Sequence, residues 1–236
     1  MKKLNILGIT LARGGSKSIP EKNITPIEGH PLIYYTIKEA KKSSFLNDYI
    51  VSTDSEKIAD VAINYGAEVP FLRPKELSLD ESSSLSGLQH AVNFMELEHN
   101  KVYDYVIELM CTNPLKTFED IDNCIEKIIE TKSDSVIAVH QLEDHHPARI
   151  KKIENDKIID FCVPEKNEAR RQDLTPKAYI RSGSIYCMSR QYLMEENRRY
   201  GGDNSRPYIL PPERTVNIDS PADLELARYL IRNTPS

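Results

Sequence analysis

A chain of 236 residues with 39% apolar and 28% charged side chains is long enough for one α/β domain with an appendage and too apolar to stay disordered. With 14 Pro and 9 Gly it is neither collagen nor coiled coil, and no run approaches the roughly eighteen apolar residues of a membrane helix. Thirty-one Lys plus Arg against 36 Asp plus Glu give a net charge of −5, which lacks the basic excess of a nucleic-acid binder but leaves room for a local basic pocket.

The apolar stretch Leu4 to Ala12 is short and leads into Arg-Gly-Gly-Ser-Lys rather than a small-residue cleavage site, so it reads as a first core strand and not a signal peptide. A polar loop, Arg13 to Glu28, follows. A helix is expected from Pro31, with Leu32, Ile33, Ile37 and Ala40 on one face. Tyr49 to Val51 predicts the next strand. Asp54 or Ser55 can cap a helix bearing Ile58, Val61, Ala62 and Tyr65, which Gly66 ends. Val69 to Leu72 predicts a third short strand, and Ser82, Ser83 and Ser84 offer caps for a helix carrying Leu88, Ala91, Val92 and Met95. Val106 to Met110 is a fourth strand. Thr117 and Asp120 resemble a capping box ahead of Ile121, Ile125, Ile128 and Ile129, and Val136 to Val139 makes a fifth strand. Strands separated by helices of this length imply parallel pairing with right-handed crossovers: an α/β, doubly wound sheet.

From His140 the rhythm changes. Arg149 to Ile153 and Lys157 to Val163 flank Asn155-Asp156, which predicts a hairpin, and Glu165 to Pro176 is charged and irregular. Ser184 to Met188 and Thr215 to Ile218 return to strand composition, and Asp219-Ser220-Pro221 opens a last helix with Leu224, Ala227, Leu230 and Ile231 on one face. The chain is one domain, 1–236, interrupted at 140–182. The cysteines Cys111, Cys124, Cys162 and Cys187 stand far apart without C-x-x-C spacing; no disulfide framework or zinc site is expected, and a reducing, cytoplasmic setting fits.

Chemistry concentrates first in the loop Leu11-Ala12-Arg13-Gly14-Gly15-Ser16-Lys17-Ser18-Ile19-Pro20-Glu21-Lys22-Asn23. It leaves a buried strand at the carboxyl edge of the sheet, where ligands of open α/β folds bind. Two glycines let backbone N–H groups approach an anion, and Arg13 and Lys17 add charge. The plainer alternative is a solvated basic turn. The Walker spacing is missing, which disfavours a P-loop.

This loop resembles the L-A-R-x-G-S-K-x-[IL]-P-x-K-N signature of the cytidylyltransferases that activate nonulosonic acids, the CMP-sialic acid synthetase family. Val51-Ser52-Thr53-Asp54-Ser55, Arg73-Pro74-Lys75-Glu76-Leu77-Ser78, Thr112-Asn113-Pro114-Leu115 (with Lys116 for the family's Arg) and Arg170-Arg171-Gln172-Asp173-Leu174 resemble further family motifs, in order, over nearly the whole chain. The resemblance implies a sheet of the nucleotide-diphospho-sugar transferase (Rossmann-like) type, with residues 140–182 as a hairpin-bearing dimerisation insertion and the chain as a homodimer. It also implies that Arg13, Gly14, Ser16, Lys17 and Asn23 hold the phosphates and ribose of CTP, and that Arg73, Ser82 and Ser84 reach the cytosine. Read without the family, Arg73 is a surface cation and the serines are helix caps.

Thr215-Val216-Asn217-Ile218-Asp219 resembles the family's D-x-D metal site, with Asn217 where a carboxylate is common. Residues two apart on a strand share a face, and Asn217 and Asp219 are expected to meet Mg²⁺, with Mn²⁺ as an alternative. Asp219 as cap of the last helix is the structural alternative. For the acidic sugar, the resemblance points to Arg171 as the guanidinium that grips the carboxylate, near the partner's site, together with Gln172, Met110, Thr112, Asn113 and Ser182. Three departures cluster here: Met110 stands where sialic-acid enzymes carry Gln, Ser182 stands for an Asn, and His145 stands for a Lys before His146-Pro147. They leave the sugar open and the reaction class intact. His140, His145 and His146 are not spaced as metal ligands.

The expected reaction is attack of the anomeric hydroxyl of a nonulosonic acid on the α-phosphorus of CTP, with Arg13, Lys17 and Asp219 as the catalytic set and no evident general base. The acceptor is expected to be an N-acylneuraminate, with legionaminic or pseudaminic acid as alternatives and a non-catalytic nucleotide-binding protein as the competing class. No nucleic-acid or membrane partner is expected.

Overall fold

A computed structural model describes residues 4–142, 144–165 and 170–233. The apolar opening forms β1 (Ile6–Leu11), whose first five residues are buried. A strand covered on both faces reads as a continuous apolar run rather than an alternating one, which is why this segment was legible. A small ribbon of β2 (Pro26–Ile27) and β3 (His30–Pro31) precedes α1 (Leu32–Ala40), so Pro31 is the extended cap of the helix and not its first residue. β4 (Asp48–Ser52) leads to α2 (Glu56–Asn64), capped by Ser55, whose hydroxyl accepts from the Ile58 amide. Then come α3 (Ser84–His99), β5 (Tyr105–Leu109), α4 (Phe118–Thr131) and β6 (Ser135–Gln141). The Thr117–Asp120 capping box at the start of α4 is complete.

The hairpin consists of β7 (Lys151–Glu154) and β8 (Lys157–Asp160). Asn155 and Asp156 both have positive φ, 51° and 61°, as a two-residue type I′ turn requires. Of the irregular stretch after it, residues 166–169 lie outside those described, as does Glu143. β9 (Tyr179–Ser189), α5 (Arg190–Met194), β10 (Ser205–Ile209) and α6 (Pro221–Asn233) complete the chain.

The central sheet has the order β10-β6-β9-β5-β1-β4. β9 pairs antiparallel with both β5 and β6, while the other pairs are parallel, so five strands run one way and β9 runs against them. Apolar side chains of α4 pack with Ile107, Leu109 and Val136 on one face; those of α3 and α5 pack with Leu7, Ile9 and Val106 on the other. A third cluster joins α1, α2 and α6 to Val51 and Ile218.

Two expected strands are absent. Val69 to Leu72 makes one isolated bridge, Leu72 to Thr53, with a second just before it at Glu68 to Ile50, because Pro70 between them lacks the donor that a ladder needs. Thr215 to Ile218 is extended but unladdered, following a 3-10 turn at Pro212–Arg214; its Ile218 amide donates to the Thr112 carbonyl at 2.8 Å. The strand that fills the sheet edge instead is β10, whose Pro207 is tolerated because only one side is paired. All four cysteines are free, and no described helix is long and apolar enough to cross a membrane.

Candidate active site

A cleft of about 380 Å³ opens at the carboxyl ends of β1 and β5, and it gathers Arg13, Ser16, Asn23, Arg73, Ser82, Ser84, Met110, Thr112 and Asp219. The loop after β1 is fixed rather than draped. The Gly14 amide donates to Asp54 Oδ1 at 2.9 Å, and Asn23 Nδ2 donates to the Arg13 carbonyl at 3.0 Å. A Cβ at Gly14 would lie 3.2 Å from Ser55 Cβ, a tight contact that favours glycine there. Its N–H is spent on Asp54, so it does not serve as an anion donor in this arrangement. Gly15 has open space around it.

The cations of the loop converge on one carboxylate. Arg13 Nη2 lies 3.0 Å from Asp80 Oδ1, and Lys17 Nζ lies 2.6 Å from Asp80 Oδ2. The Lys17 ammonium, bonded to it, holds the Asp80 carboxyl below its usual range. Lys17, 79% exposed, stands at the mouth of the cleft. An acid bridging a guanidinium and an ammonium marks a place built for negative charge.

Arg73 is only 5% exposed, its Nε donates to Ser78 Oγ at 2.9 Å, and burial lowers its pKa. It is no surface cation: the Thr53 carbonyl holds its backbone at 2.7 Å, and its guanidinium packs over Gly87 of α3. Ser82 Oγ donates to the Glu76 carbonyl, and Ser83, not Ser84, caps α3.

Lys22, in the same loop, ties two parts of the cleft together. Its Nζ donates to the Ile218 carbonyl at 2.8 Å and to Asp219 Oδ1 at 3.2 Å, which fastens the loop after β1 to the segment before α6. Asn217 Nδ2 donates to Asp219 Oδ2 at 2.5 Å. The two side chains therefore meet, although no strand puts them there. Asp219 does not cap α6; Ser220 does, in reciprocal bonds with Asp223. Asn217 Oδ1 is buried without a partner, and a Cβ on Gly183 (φ 63°) would lie 3.0 Å from it. One carboxylate and one amide oxygen form a hard donor set that suits Mg²⁺ when phosphate and water complete its shell. The orphaned amide oxygen is consistent with that fit, since a turn of the amide would present it beside Asp219.

Beyond Met110 lies a second hollow of about 360 Å³, lined by Met110, Arg181, Gly183, Tyr186, Arg199, Tyr200 and Asn217. Met110 belongs to both spaces, and the Asn217–Asp219 pair spans the boundary between them. Behind Met110 stands Glu108, a carboxylate 2% exposed in β5 and paired with Arg199. Burial pushes the Glu108 carboxyl up, and the guanidinium against it works the other way. A glutamate inside an otherwise apolar strand, Val106-Ile107-Glu108-Leu109, was the available signal for this group.

Other expected sugar contacts are placed differently. Ser182 is turned into the sheet, its hydroxyl donating to the Ala138 carbonyl at 2.9 Å. Asn113 is fully buried and donates to the Arg214 carbonyl at 3.3 Å. Arg171 and Gln172 line a separate hollow with His146 and Lys177, where Arg171 Nη1 bonds Asp144 Oδ1 at 2.9 Å. His146 Nδ1 accepts from the Ala148 amide and its Nε2 faces the Pro176 carbonyl, so this imidazole shapes the loop. Lys116 is buried; its Nζ donates to Thr36 Oγ1, the Met110 carbonyl and the Asn113 carbonyl at 2.8, 2.8 and 2.5 Å, and burial brings its pKa down to about 8.

A mostly parallel α/β sheet with a cation-rich loop after its first strand, and an amide–carboxylate pair fastened to that loop, has the architecture of a nucleotide-binding α/β protein. Residues 7–196 match the family described as Cytidylyltransferase, and the chain belongs to that family. It is 36% identical over 98% of its length to the pseudaminic acid cytidylyltransferase of Campylobacter jejuni, covering 97% of that protein. It is 32% identical to the CMP-N,N'-diacetyllegionaminic acid synthase of Legionella pneumophila, over 97% of both chains. Among solved structures, a CMP:2-keto-3-deoxy-manno-octonic acid synthetase complexed with CTP superposes with a TM-score of 0.70 at 18% identity, covering 97% of this chain and 98% of that one.

Proposed function

We propose that the chain transfers CMP from CTP to the anomeric hydroxyl of a nine-carbon 2-keto sugar acid, releasing pyrophosphate. The observation that carries this reading is the Asn217–Asp219 pair, placed where the cleft with Arg13 and Arg73 meets the hollow beyond Met110. A nucleotide in the first space and an acceptor in the second bring the α-phosphate and the attacking hydroxyl to that boundary.

The residues divide the work. Arg13 and Lys17 exchange Asp80 for the triphosphate and neutralise charge that grows on its oxygens as the bond to pyrophosphate breaks. Buried Arg73 and the serines at the start of α3 hold the base end, so the α-phosphate is placed by contacts at both ends of the nucleotide. Lys22 orients the Asp219 carboxylate. Mg²⁺, held by Asp219 and Asn217, supplies Lewis-acid stabilisation of phosphate oxygens when bound.

Pseudaminic acid is the first acceptor to test. Met110, which lines the acceptor hollow, departs from the sialic-acid pattern, and the relatives above are named for pseudaminic and legionaminic acids. N-acetylneuraminic acid, the acceptor the motifs first suggested, completes the panel. The protein acts as a homodimer in this proposal, and the hairpin supports it: Ile153, Ile158 and Phe161 are 76%, 74% and 62% exposed, an apolar surface that a second copy would cover.

Purified protein with CTP, MgCl₂ and each of the three acids is expected to release pyrophosphate with at least one of them. CTP binding without pyrophosphate release from any would overturn the assignment. Light scattering at micromolar concentration is expected to give twice the chain mass, and a monomer would remove the dimer.

A further inference from the structure

The acceptor hollow contains two guanidiniums in unlike surroundings. Arg199 is paired with the buried Glu108, so its charge is cancelled inside the protein. Its Nη2 also lies 3.7 Å from the Met110 sulfur, and the group stands 4.2 Å over the Tyr186 ring. Arg181 has no carboxylate partner among the described residues, and its guanidinium lies 4.2 Å over the Tyr200 ring. A guanidinium stacked on an aromatic face keeps its N–H edge free while losing rotational freedom. The hollow therefore shows one uncompensated positive charge, held in place.

The strand explains the placement. β6 and β9 slip register between Ile137 and Val139, Ser182 turns inward to the Ala138 carbonyl, and Gly183 takes φ 63°. Side chains of a strand alternate, so the inward turn of Ser182 leaves its neighbour Arg181 on the opposite side. Asn217 lines the same hollow and packs against Gly183, two residues along the strand from Arg181. A 2-keto acid sugar bears a single negative charge, on the carboxylate bonded to the very carbon whose hydroxyl reacts. Fixing that carboxylate fixes the nucleophile.

We propose that Arg181 anchors the carboxylate of the acidic acceptor, from the same chain that holds the nucleotide, with Tyr200 as its positioning residue. The Glu108–Arg199 pair forms the neighbouring wall without adding net charge. Arg171, engaged with Asp144 in a different hollow, is not the anchor within this chain. The assignment rests on the reading of the chain as a cytidylyltransferase for 2-keto acids.

Arg181 sits on the exposed part of β9, so Arg181→Gln should fold like wild type, which thermal melting checks. With the acceptor that wild type uses best, Arg181→Gln is expected to raise the acceptor KM about 30-fold, the loss of one charged bidentate contact. The KM for CTP and kcat stay within about twofold, and Arg181→Lys recovers part of the loss. The C1 carboxamide of the same sugar, used as a competitive inhibitor, is expected to bind wild type much more weakly than the acid, and Arg181→Gln equally with it. An unchanged acceptor KM in Arg181→Gln overturns the proposal, as does acid-over-amide preference that survives there but disappears in Arg171→Gln. If wild type transfers CMP to none of the three acids, the functional reading itself falls and the anchor with it.

Discussion

In the nucleotide cleft each cation of the loop is met by an acid within reach: Arg13 and Lys17 by Asp80, and Lys22 by Asp219. In the acceptor hollow the pattern is reversed, with Arg181 unmatched and the one carboxylate, Glu108, hidden behind Arg199. The first arrangement holds mobile side chains near their working positions with partners that a polyanion can displace. The second keeps a single charge ready for a monoanion and has nothing to displace. In the proposed reaction a triphosphate would bring enough charge to compete with Asp80, whereas a lone carboxylate would need a site without a competitor.

The largest effect that would break this comparison comes from the nucleotide side. Arg13→Ala is expected to lower kcat/KM by about 10³-fold or more, the scale of a lost donor at developing phosphoryl charge. Asp219→Ala should lower it similarly and flatten the dependence of rate on added Mg²⁺. Pyrophosphate release at varied MgCl₂ measures both. Near-normal activity in Asp219→Ala would remove this carboxylate from the reacting end.

Much of the framework around the first cleft was legible because its signals are local. The cation-bearing loop, the Asp54–Ser55 turn and the capping box at Thr117 each lie within a dozen residues, and each formed where the pattern put it. The acceptor side was not legible in the same way. Its hollow joins β5, β9 and the 197–202 segment, and pairing between such distant residues leaves no periodicity to read. Proline explains the misplaced strands: Pro70 interrupts an apolar run, whereas Pro207 sits harmlessly on an edge. Ser182 holds the motif position of a sugar contact, but the register slip in β9 turns it inward and sets Arg181 at the hollow.

Lys116 links the two sides, since it holds the Met110 and Asn113 carbonyls against Thr36 of α1. Lys116→Met removes the donor to the buried Asn113 carbonyl and one of the donors around Thr36 and the Met110 carbonyl, which keep the weaker Thr36 Oγ1–Met110 bond, and is expected to cost about 3 kcal/mol of stability, read from the urea midpoint. Its pH dependence has a definite sign. With the folded pKa near 8 and the ordinary value at 10.5, the unfolded chain binds the proton more readily between those limits. Wild type should therefore gain stability over Lys116→Met as pH rises from about 8 to 10.5, by up to about 1.4 kcal/mol per pH unit. A flat difference across that window would mean that the three acceptors keep the ammonium charged.

Asp80→Asn gives a smaller and opposite effect. Removing the carboxylate frees Arg13 and Lys17, and CTP should bind up to about fivefold more tightly, since exposed ion pairs contribute little. Calorimetric titration with CTP measures it, and weaker binding would show that Asp80 itself contacts the nucleotide.

The smallest expected effect sharpens the boundary between the six-stranded sheet and the β7–β8 hairpin. Asn155 and Asp156 occupy the two positive-φ positions of the hairpin turn, at 51° and 61°. Glycine adopts the second position without steric cost, so Asp156→Gly should stabilise the hairpin by about 0.5 kcal/mol, a gain partly offset by greater freedom in the unfolded chain. The turn lies in the two-stranded β7–β8 sheet, apart from the six-stranded one, and lines neither the nucleotide cleft nor the acceptor hollow. Turnover and the KM for CTP should therefore match wild type, while amide exchange within residues 151–160 slows. A change in acceptor KM with unchanged CTP binding would instead tie the hairpin to sugar recognition. That result would place part of the acceptor site on a partner copy and require the Arg181 anchor to share the carboxylate with a residue of the insertion.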